Sequence, residues 1–492
     1  MRPKTFLRLC TAAAILGLGP TLHGASPAML KLLKVLKDRG SISQQEYDDL
    51  VLATEAEAEA AKTAQLPQPQ VQPATAQPQA FVADTAVTPS KTTTTTAAEP
   101  AADKASKATA DASTKHSPKW YDRIGLRGYT QIRYHSILDQ EGADLNVPND
   151  RSISKDTTFF IRRARLILSG DVSEHLFIYA QPDLNGAPTS GDFSVQLRDM
   201  YGDVSFDKEK EFRIRLGQSK VPFGWVNMQS SSNRGPLERP DAINSAVEGE
   251  RDIGGFFYWA PDEIRKRYAE LVRSGLKGSG DYGVFGIGAY SGQGLNRLDL
   301  NGQPHYIVKA SYPFKLPSGQ FFETGVHAYT GRFVTSSQAI TSGGTTLTPT
   351  APAGGVADER VGFTAVWYPQ PFGVEAEWNF GVGPELSANR STIQSQFLHG
   401  GYVQLSYKED NKLGNWFPFL RWNYYDGGRK FAVNAPSDRV NEVDFGLEWA
   451  PWQAVEFTVQ YTHTFERTNT RTSPYAETSN ADRISFQAQL NY

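Results

Sequence analysis

Cysteine is all but missing from this chain of 492 residues: there is one, Cys10, and it falls within the first 25 positions. A chain whose remainder carries no thiol has no disulfide framework, no thiolate nucleophile and no cysteine metal site. Also missing, beyond those first positions, is any run near the ~20 apolar residues that a membrane-crossing helix requires. That excludes a helical bundle in a bilayer but leaves strands open, because a membrane strand is apolar on one face alone. A basic excess is absent as well, with 50 Lys and Arg against 53 Asp and Glu, so a nucleic-acid partner is not expected.

The front of the chain divides by composition. Residues 1–25 read as a signal peptide: Arg2, Lys4 and Arg8, then the apolar stretch from Cys10 to Leu18, then small residues. Taking those three cations from the 50 leaves 47 against 53 acids, a net charge of −6. Residues 26–63 read as a short helical segment. Leu30, Leu33 and Leu36 recur at helical spacing, Gly40 is placed to stop the helix, and Ser43 with Glu46 forms a capping-box pattern. Residues 64–118 are Pro, Gln, Ala, Thr and Ser, too poor in apolar surface to repay ordering, and read as a disordered linker. Behind a leader, such a tether is expected to lie in the periplasm, where the helical segment would meet peptidoglycan.

Residues 119–492 are different. The last eleven alternate: Ile484, Phe486, Ala488, Leu490 and Tyr492 point one way, and Arg483, Ser485, Gln487, Gln489 and Asn491 the other. The same period of two recurs in Leu126, Gly128, Thr130, Ile132, Tyr134, in Trp416, Pro418, Leu420, Trp422, Tyr424, and in Val443, Phe445, Leu447, Trp449. Aromatics gather at the ends of these faces, as they do at the two surfaces of a membrane. Short connections, such as 171–175, 207–211, 315–320, 369–371 and 451–453, alternate with long polar ones, such as 138–156, 221–250, 335–358 and 468–481. A soluble sandwich has no reason to keep that order; a closed transmembrane antiparallel β-barrel does. About sixteen strands are expected. The stretch 251–282, with an ambiguous helix-like part at 263–276, leaves eighteen as the alternative.

The segment Phe160-Ile-Arg-Arg-Ala-Arg-Leu166, followed by Leu197-Arg-Asp-Met-Tyr201, Leu216-Gly-Gln-Ser-Lys-Val-Pro-Phe223, Glu238-Arg239 and Tyr290-Ser-Gly-Gln-Gly-Leu-Asn296, resembles the phosphate-selective porin O and P family. The resemblance spans roughly residues 120–492. It implies a sixteen-stranded homotrimeric porin in the bacterial outer membrane, with its third outer loop, here 221–250, folded inward as a constriction. It implies small hydrophilic solutes or anions as cargo.

Residues opposite the apolar faces must line the lumen, since a basic side chain at mid-bilayer costs ~2–4 kcal/mol. The basic set is Arg127, Arg133, Arg163, Arg165, Arg213 and Arg215; Arg162 falls on the outward face and is expected near the outer rim. The acidic set is Glu375, Glu377, Glu442, Asp444 and Glu448, and the constriction loop adds Arg234, Glu238, Arg239, Asp241, Glu248 and Glu250. A basic wall facing acidic groups puts a field across the aperture that favours hydrophilic solutes. The bland alternative is that the arginines only neutralise carboxylates and brace the wall.

No catalytic constellation is read here. The histidines are scattered, no nucleophile elbow occurs, and His135 near Asp139 and His463 near Glu466 read as solvated rim pairs. Asp144, Asn146, Asn149 and Asp150 lack the glycine and glutamate of a calcium loop, so no metal or cofactor is expected. Two rivals to a diffusion channel are a structural anchor between envelope and cell wall and a sugar channel. The second would use Tyr129, Tyr179, Tyr201, Phe417, Phe419 and Tyr425 as an aromatic slide.

Overall fold

The computed structural model describes residues 119–145, 158–186, 193–342, 345–469 and 476–492, and Lys37 besides. The leader, the helical segment apart from Lys37, the linker and positions 146–157 of the first long loop lie outside the described residues. Sixteen strands form one antiparallel sheet. They are β1 (Gly125–Gly142), β2 (Thr158–Asp171), β3 (Leu176–Gly186), β4 (Phe193–Ser205), β5 (Phe212–Lys220), β6 (Arg251–Trp259), β7 (Phe285–Tyr290) and β8 (His305–Lys315). The second half holds β9 (Phe321–Phe333), β10 (Val356–Trp367), β11 (Phe372–Leu386), β12 (Ile393–Tyr407), β13 (Gly414–Gly428), β14 (Ser437–Trp452), β15 (Val455–Asn469) and β16 (Ala476–Asn491). A further three-residue piece, Glu409–Asn411, continues the β12 ladder along β13. The sheet closes because β1 pairs with β2 on one side and with β16 on the other, Tyr129 lying opposite Asn491. A closed sheet leaves no edge of unpaired backbone groups, which is what a bilayer demands.

Alternation decides which face each side chain meets. On β13, Leu420 and Trp422 are exposed on the outside while Phe417, Phe419 and Arg421 are buried within. Aromatic pairs ring the short-turn end: Trp416 with Trp449 at 5.3 Å, Phe372 with Tyr407 at 4.8 Å, Phe322 with Trp367 at 6.2 Å. A second group nearer the loops stacks Trp378 on Tyr424 at 6.2 Å and sets Tyr134 on Phe159 at 4.7 Å. Between these girdles lies the apolar belt. Phe445, 61 % exposed and opposite Leu420 and Tyr461, sits in its middle. The variant Phe445→Arg is expected to lose ~2–4 kcal/mol of folding stability in lipid vesicles, the midplane penalty, measurable by reversible urea unfolding; an unchanged midpoint would place the belt elsewhere.

The stretch left open at 251–282 contributes one strand and a helix, which settles the count at sixteen. After β6 the chain forms α3 (Asp262–Arg273) at the short-turn end; α1 (Trp225–Met228) and α2 (Asp241–Asn244) lie earlier, in the third long loop. Asp262 and Glu263 in the first turn and Arg273 in the last suit the helix dipole. Ile264, Tyr268 and Leu271, at i, i+4 and i+7, form its buried stripe. That stripe packs against Trp225 of the third loop and Phe321, Val366, Tyr368 and Tyr402 of the wall. The helix pattern is short and mostly charged, so period alone leaves it ambiguous with an irregular turn.

Candidate functional site

The third long loop folds into the lumen, and the β9–β15 sector holds it there. Gly224 stands just before α1 at φ +83°, a backbone conformation that favours glycine, and a Cβ on it would lie 2.7 Å from Glu377 Oε1. Glu377 Oε2 accepts the backbone N–H groups of Trp225 and Val226 at 2.7 and 3.3 Å. Trp225 Nε1 donates to Glu323 at 3.2 Å, and Glu323 also accepts from Tyr368 Oη at 2.6 Å. Arg360 donates to Ala242 O and to Ser245 Oγ, Arg421 to Glu238 O at 2.8 Å, and Gln460 accepts the Leu237 N–H at 3.0 Å. The loop backbone, which has little sheet to join, is thus satisfied by the wall.

The acidic residues expected to line an open pore are consequently sealed. Glu375 accepts from Tyr402, Glu377 holds α1, Asp444 pairs with Arg421 at 2.6 Å, Glu442 with Arg483 at 2.6 Å, and Glu448 with Lys277. All five face inward and are buried. Of the six aromatics considered for a slide, Tyr129, Phe417, Phe419 and Tyr425 are buried, while Tyr179 and Tyr201 are half-buried and stack on each other at 5.1 Å. The two histidine pairs differ from expectation as well. His135 is buried on β1 within reach of Ser485, and His463 points outward to Asp482 at 2.7 Å rather than to Glu466.

On the β1–β5 side, Arg133 and Arg163 reach across to Glu238 of the loop at 2.9 and 3.0 Å. Arg165 pairs with Asp183 and also donates to Tyr129 Oη and Ser231 Oγ. Arg215 holds Asp203 through two bonds and lies 3.9 Å over the Tyr201 ring, and Arg213 pairs with Asp281 at 2.6 Å. Arg127, exposed at the short-turn end, has no ion-pair partner among the described residues. Within the loop, Glu250 gathers Lys220, Arg234, Arg239 and Arg251. Asp241 is buried on α2, and Glu248 meets Arg297 at 3.5 Å. Burial alone would raise the Glu238 carboxyl, but Arg162, Arg163 and Arg133 outweigh it and hold it well below the usual glutamate range. Glu250 is held down in the same way by its four cations.

Arg162 is not at the outer rim. The β1–β2 register passes from Gln131 opposite Arg163 to Ile132 opposite Ile161, so Arg162 is the extra residue of a β-bulge. The bulge turns it inward, and its guanidinium donates to both oxygens of Glu238, at 2.8 and 3.2 Å. A second bulge lies on β4, where Asp199 pairs with Gln181 and Leu197 with Pro182, leaving Arg198 unpaired in the ladder. Pro182 offers no N–H, so an interrupted ladder is where a strand tolerates it. The Gln218 amide donates to the carbonyls of Leu197 and Arg198, at 2.6 and 3.1 Å, and fastens the bulge. Both extra arginines line a cavity with about 870 Å³ of atom-free space, part of it open to solvent, together with Arg163, Arg165, Arg239 and Arg297.

Residues 138–492 match the profile of the family described as phosphate-selective porin O and P. The chain belongs to that family. It is an outer-membrane porin, a water-filled channel for passive diffusion. No curated protein sequence matches this porin. Among solved structures, its barrel is similar to OmpT of Vibrio cholerae (11% identity, TM-score 0.45, covering 75% of this chain and 97% of that one). It is similar to the outer membrane channel DcaP of Acinetobacter baumannii (14%, 0.45, 75% and 97%) and to an anion-selective porin from Comamonas acidovorans (9%, 0.41, 75% and 99%). In this porin, six cations (Arg162, Arg163, Arg165, Arg198, Arg239, Arg297) and four carboxylates (Asp183, Glu238, Glu248, Glu250) line the cavity among the described residues.

Proposed function

We propose that this porin favours small anions over cations, and that its solutes pass beside the β1–β5 wall. The observation that carries the reading is the surplus of guanidinium charge over carboxylate around the cavity. Unit charges 4 Å apart interact by ~1 kcal/mol even in water, and a low-dielectric wall strengthens that. A few uncompensated cations thus suffice to enrich anions and repel cations, while the hydration they replace is weak enough to regain on exit. The opposite acidic residues do not cancel this preference, because the inward loop separates them from the cavity.

Reversal potentials across planar bilayers in a potassium chloride gradient test the reading. An anion-to-cation permeability ratio above about 5 is expected, matching ~1 kcal/mol, and it falls as salt rises and screens the wall. Inorganic phosphate added to chloride is expected to lower the current by competing for the same guanidiniums. Equal permeabilities would sink the anion reading. The proposal extends to a homotrimer, as the family resemblance implies, and to contact between the front segment and peptidoglycan. Native mass in detergent and cell-wall pull-down of the chain with and without residues 26–117 address those two points.

A further inference from the structure

We propose that the connection between β6 and β7 is a second size filter of this porin, a hairpin clasped across the lumen by Lys277 and Glu448 beneath the inward loop. It acts on the bore and not on charge, so it stands apart from the anion preference above.

The other connections at the short-turn end have six residues or fewer, whereas this one runs over 260–284. Its outgoing leg is α3, whose 12 residues rise ~18 Å, a large step across a channel. At the foot, Asp281 of the returning leg pairs with Arg265 at 2.9 Å and with Arg213 of β5 at 2.6 Å. Along its length the helix leans on β8: Tyr268 Oη lies 3.1 Å from Ser311 Oγ, and Arg267 donates to Pro313 O at 2.7 Å. The tip turns back through Gly275 at φ +70° and Lys277 at φ +63°. A lysine in that left-handed region is unusual, and here it carries the ammonium to the far wall. Lys277 Nζ meets Glu448 Oε1 at 2.5 Å and lies 5.2 Å from the centre of the Phe417 ring. Glu448 is on β14, eight strands on from β6 in the ring of sixteen, so foot and tip of the hairpin stand on opposite walls.

The inward loop holds the tip as well. Gln229 Nε2 donates to Lys277 O at 2.6 Å, and Asn233 Nδ2 to Gly278 O at 2.9 Å. On the side towards β9, β10 and β12, the buried stripe of α3 is packed against Phe321, Val366, Tyr368 and Tyr402. That leaves the arc of β15, β16 and β1–β5 for solutes, which clear the inward loop and then pass between this arc and the hairpin. A buried lysine–carboxylate pair contributes little net stability, because desolvation offsets most of the attraction. What it does well is fix position: neither charge can leave without stranding the other. Lys277 is therefore a positioning residue that sets how far the hairpin narrows the exit.

The test is single-channel recording of the full-length porin, with neutral polyethylene glycols of graded size added to one side of the bilayer and then to the other. A polymer that enters a vestibule lowers the conductance, and the largest that does so measures the bore on that side. The double variant Lys277→Met with Glu448→Gln removes both charges and leaves no buried ion unpaired. It is expected to admit larger polymers from the short-turn side, to keep the cut-off on the long-loop side, and to raise conductance about twofold. Exchanging the charges, Lys277→Glu with Glu448→Lys, is expected to return both readings to those of wild type. Lys277→Cys with Glu448→Cys, where Cys10 is the one natural thiol of the chain, is expected to behave as the neutral pair until a bifunctional thiol reagent bridges the two, and as wild type afterwards. An unchanged short-turn cut-off in the neutral pair, with the barrel intact by heat-modifiable migration, would overturn the filter. So would a cut-off that moves equally from both sides. Should the neutral pair fail to fold, the cysteine pair decides: equal cut-offs before and after bridging also overturn it.

Discussion

Trp225→Ala is expected to loosen the inward loop and to turn a steady channel into a noisy one of larger conductance. Trp225 is 1% exposed and stands where three parts of the chain meet: the loop, the wall at Phe321, Val366, Tyr368 and Tyr402, and the buried stripe of α3. Its indole N–H donates to Glu323, and its ring lies edge-on to Tyr368 at 6.3 Å. Truncating a buried tryptophan removes ~3–5 kcal/mol of packing, and here it also strips a donor from a buried carboxylate, a further destabilising change. The strand ladders do not depend on this residue, so the loss falls on the loop and on α3 rather than on the barrel. Single-channel recording is expected to show brief openings to a higher level, and amide exchange to speed up across residues 225–247 and 262–273 together. Wild-type conductance and noise in the variant would mean that the polar clasps of Arg360, Arg421 and Gln460 suffice to hold the loop, and that the apolar core beneath it is incidental.

That core marks the limit of what period and composition reveal. The barrel, its girdles and the inward side of Arg133, Arg165 or Glu442 are legible because lipid punishes every error of alternation, so the pattern persists over each strand. Register between strands is not legible. Asp183 and Asp203 stand in the sequence as inward carboxylates, but their pairing with Arg165 and Arg215 depends on how two strands slide past each other. Bulges defeat the reading outright, since one inserted residue flips the face of all that follow while the local residue types look unchanged. Phe160-Ile-Arg-Arg-Ala-Arg carries a hint: Phe160 and Arg163 both face inward, which strict alternation forbids across three positions. The sealing of the acidic half was equally hidden, because Glu375 and Glu442 have the same pattern whether they meet water or a folded loop.

Glu238→Gln is expected to do to selectivity what acid cannot. One carboxylate there holds Arg133, Arg162 and Arg163, and the backbone carbonyl of the same residue is held from the opposite wall by Arg421. Glutamine keeps the second tie and most of the shape, so the loop stays in place while three guanidiniums lose their counter-charge. Breaking a largely buried ion pair from one side costs ~3–5 kcal/mol. The variant is therefore expected to unfold at lower temperature in dilute buffer, to recover when phosphate fills the gap, and to show a higher anion-to-cation ratio with tighter phosphate block. Because the folded carboxyl is held well below the ordinary 4.5, its contribution is complete at pH values above 4.5 and is lost only as pH falls through the lower folded value. Wild-type porin at pH 4.5 should thus keep its pH 7 selectivity and phosphate affinity, while Glu238→Gln differs from it at both. Should wild type drift toward the behaviour of the variant between pH 5.5 and 4.5, Glu238 is not clamped by the three arginines, and the balance of charge around the cavity must be redrawn.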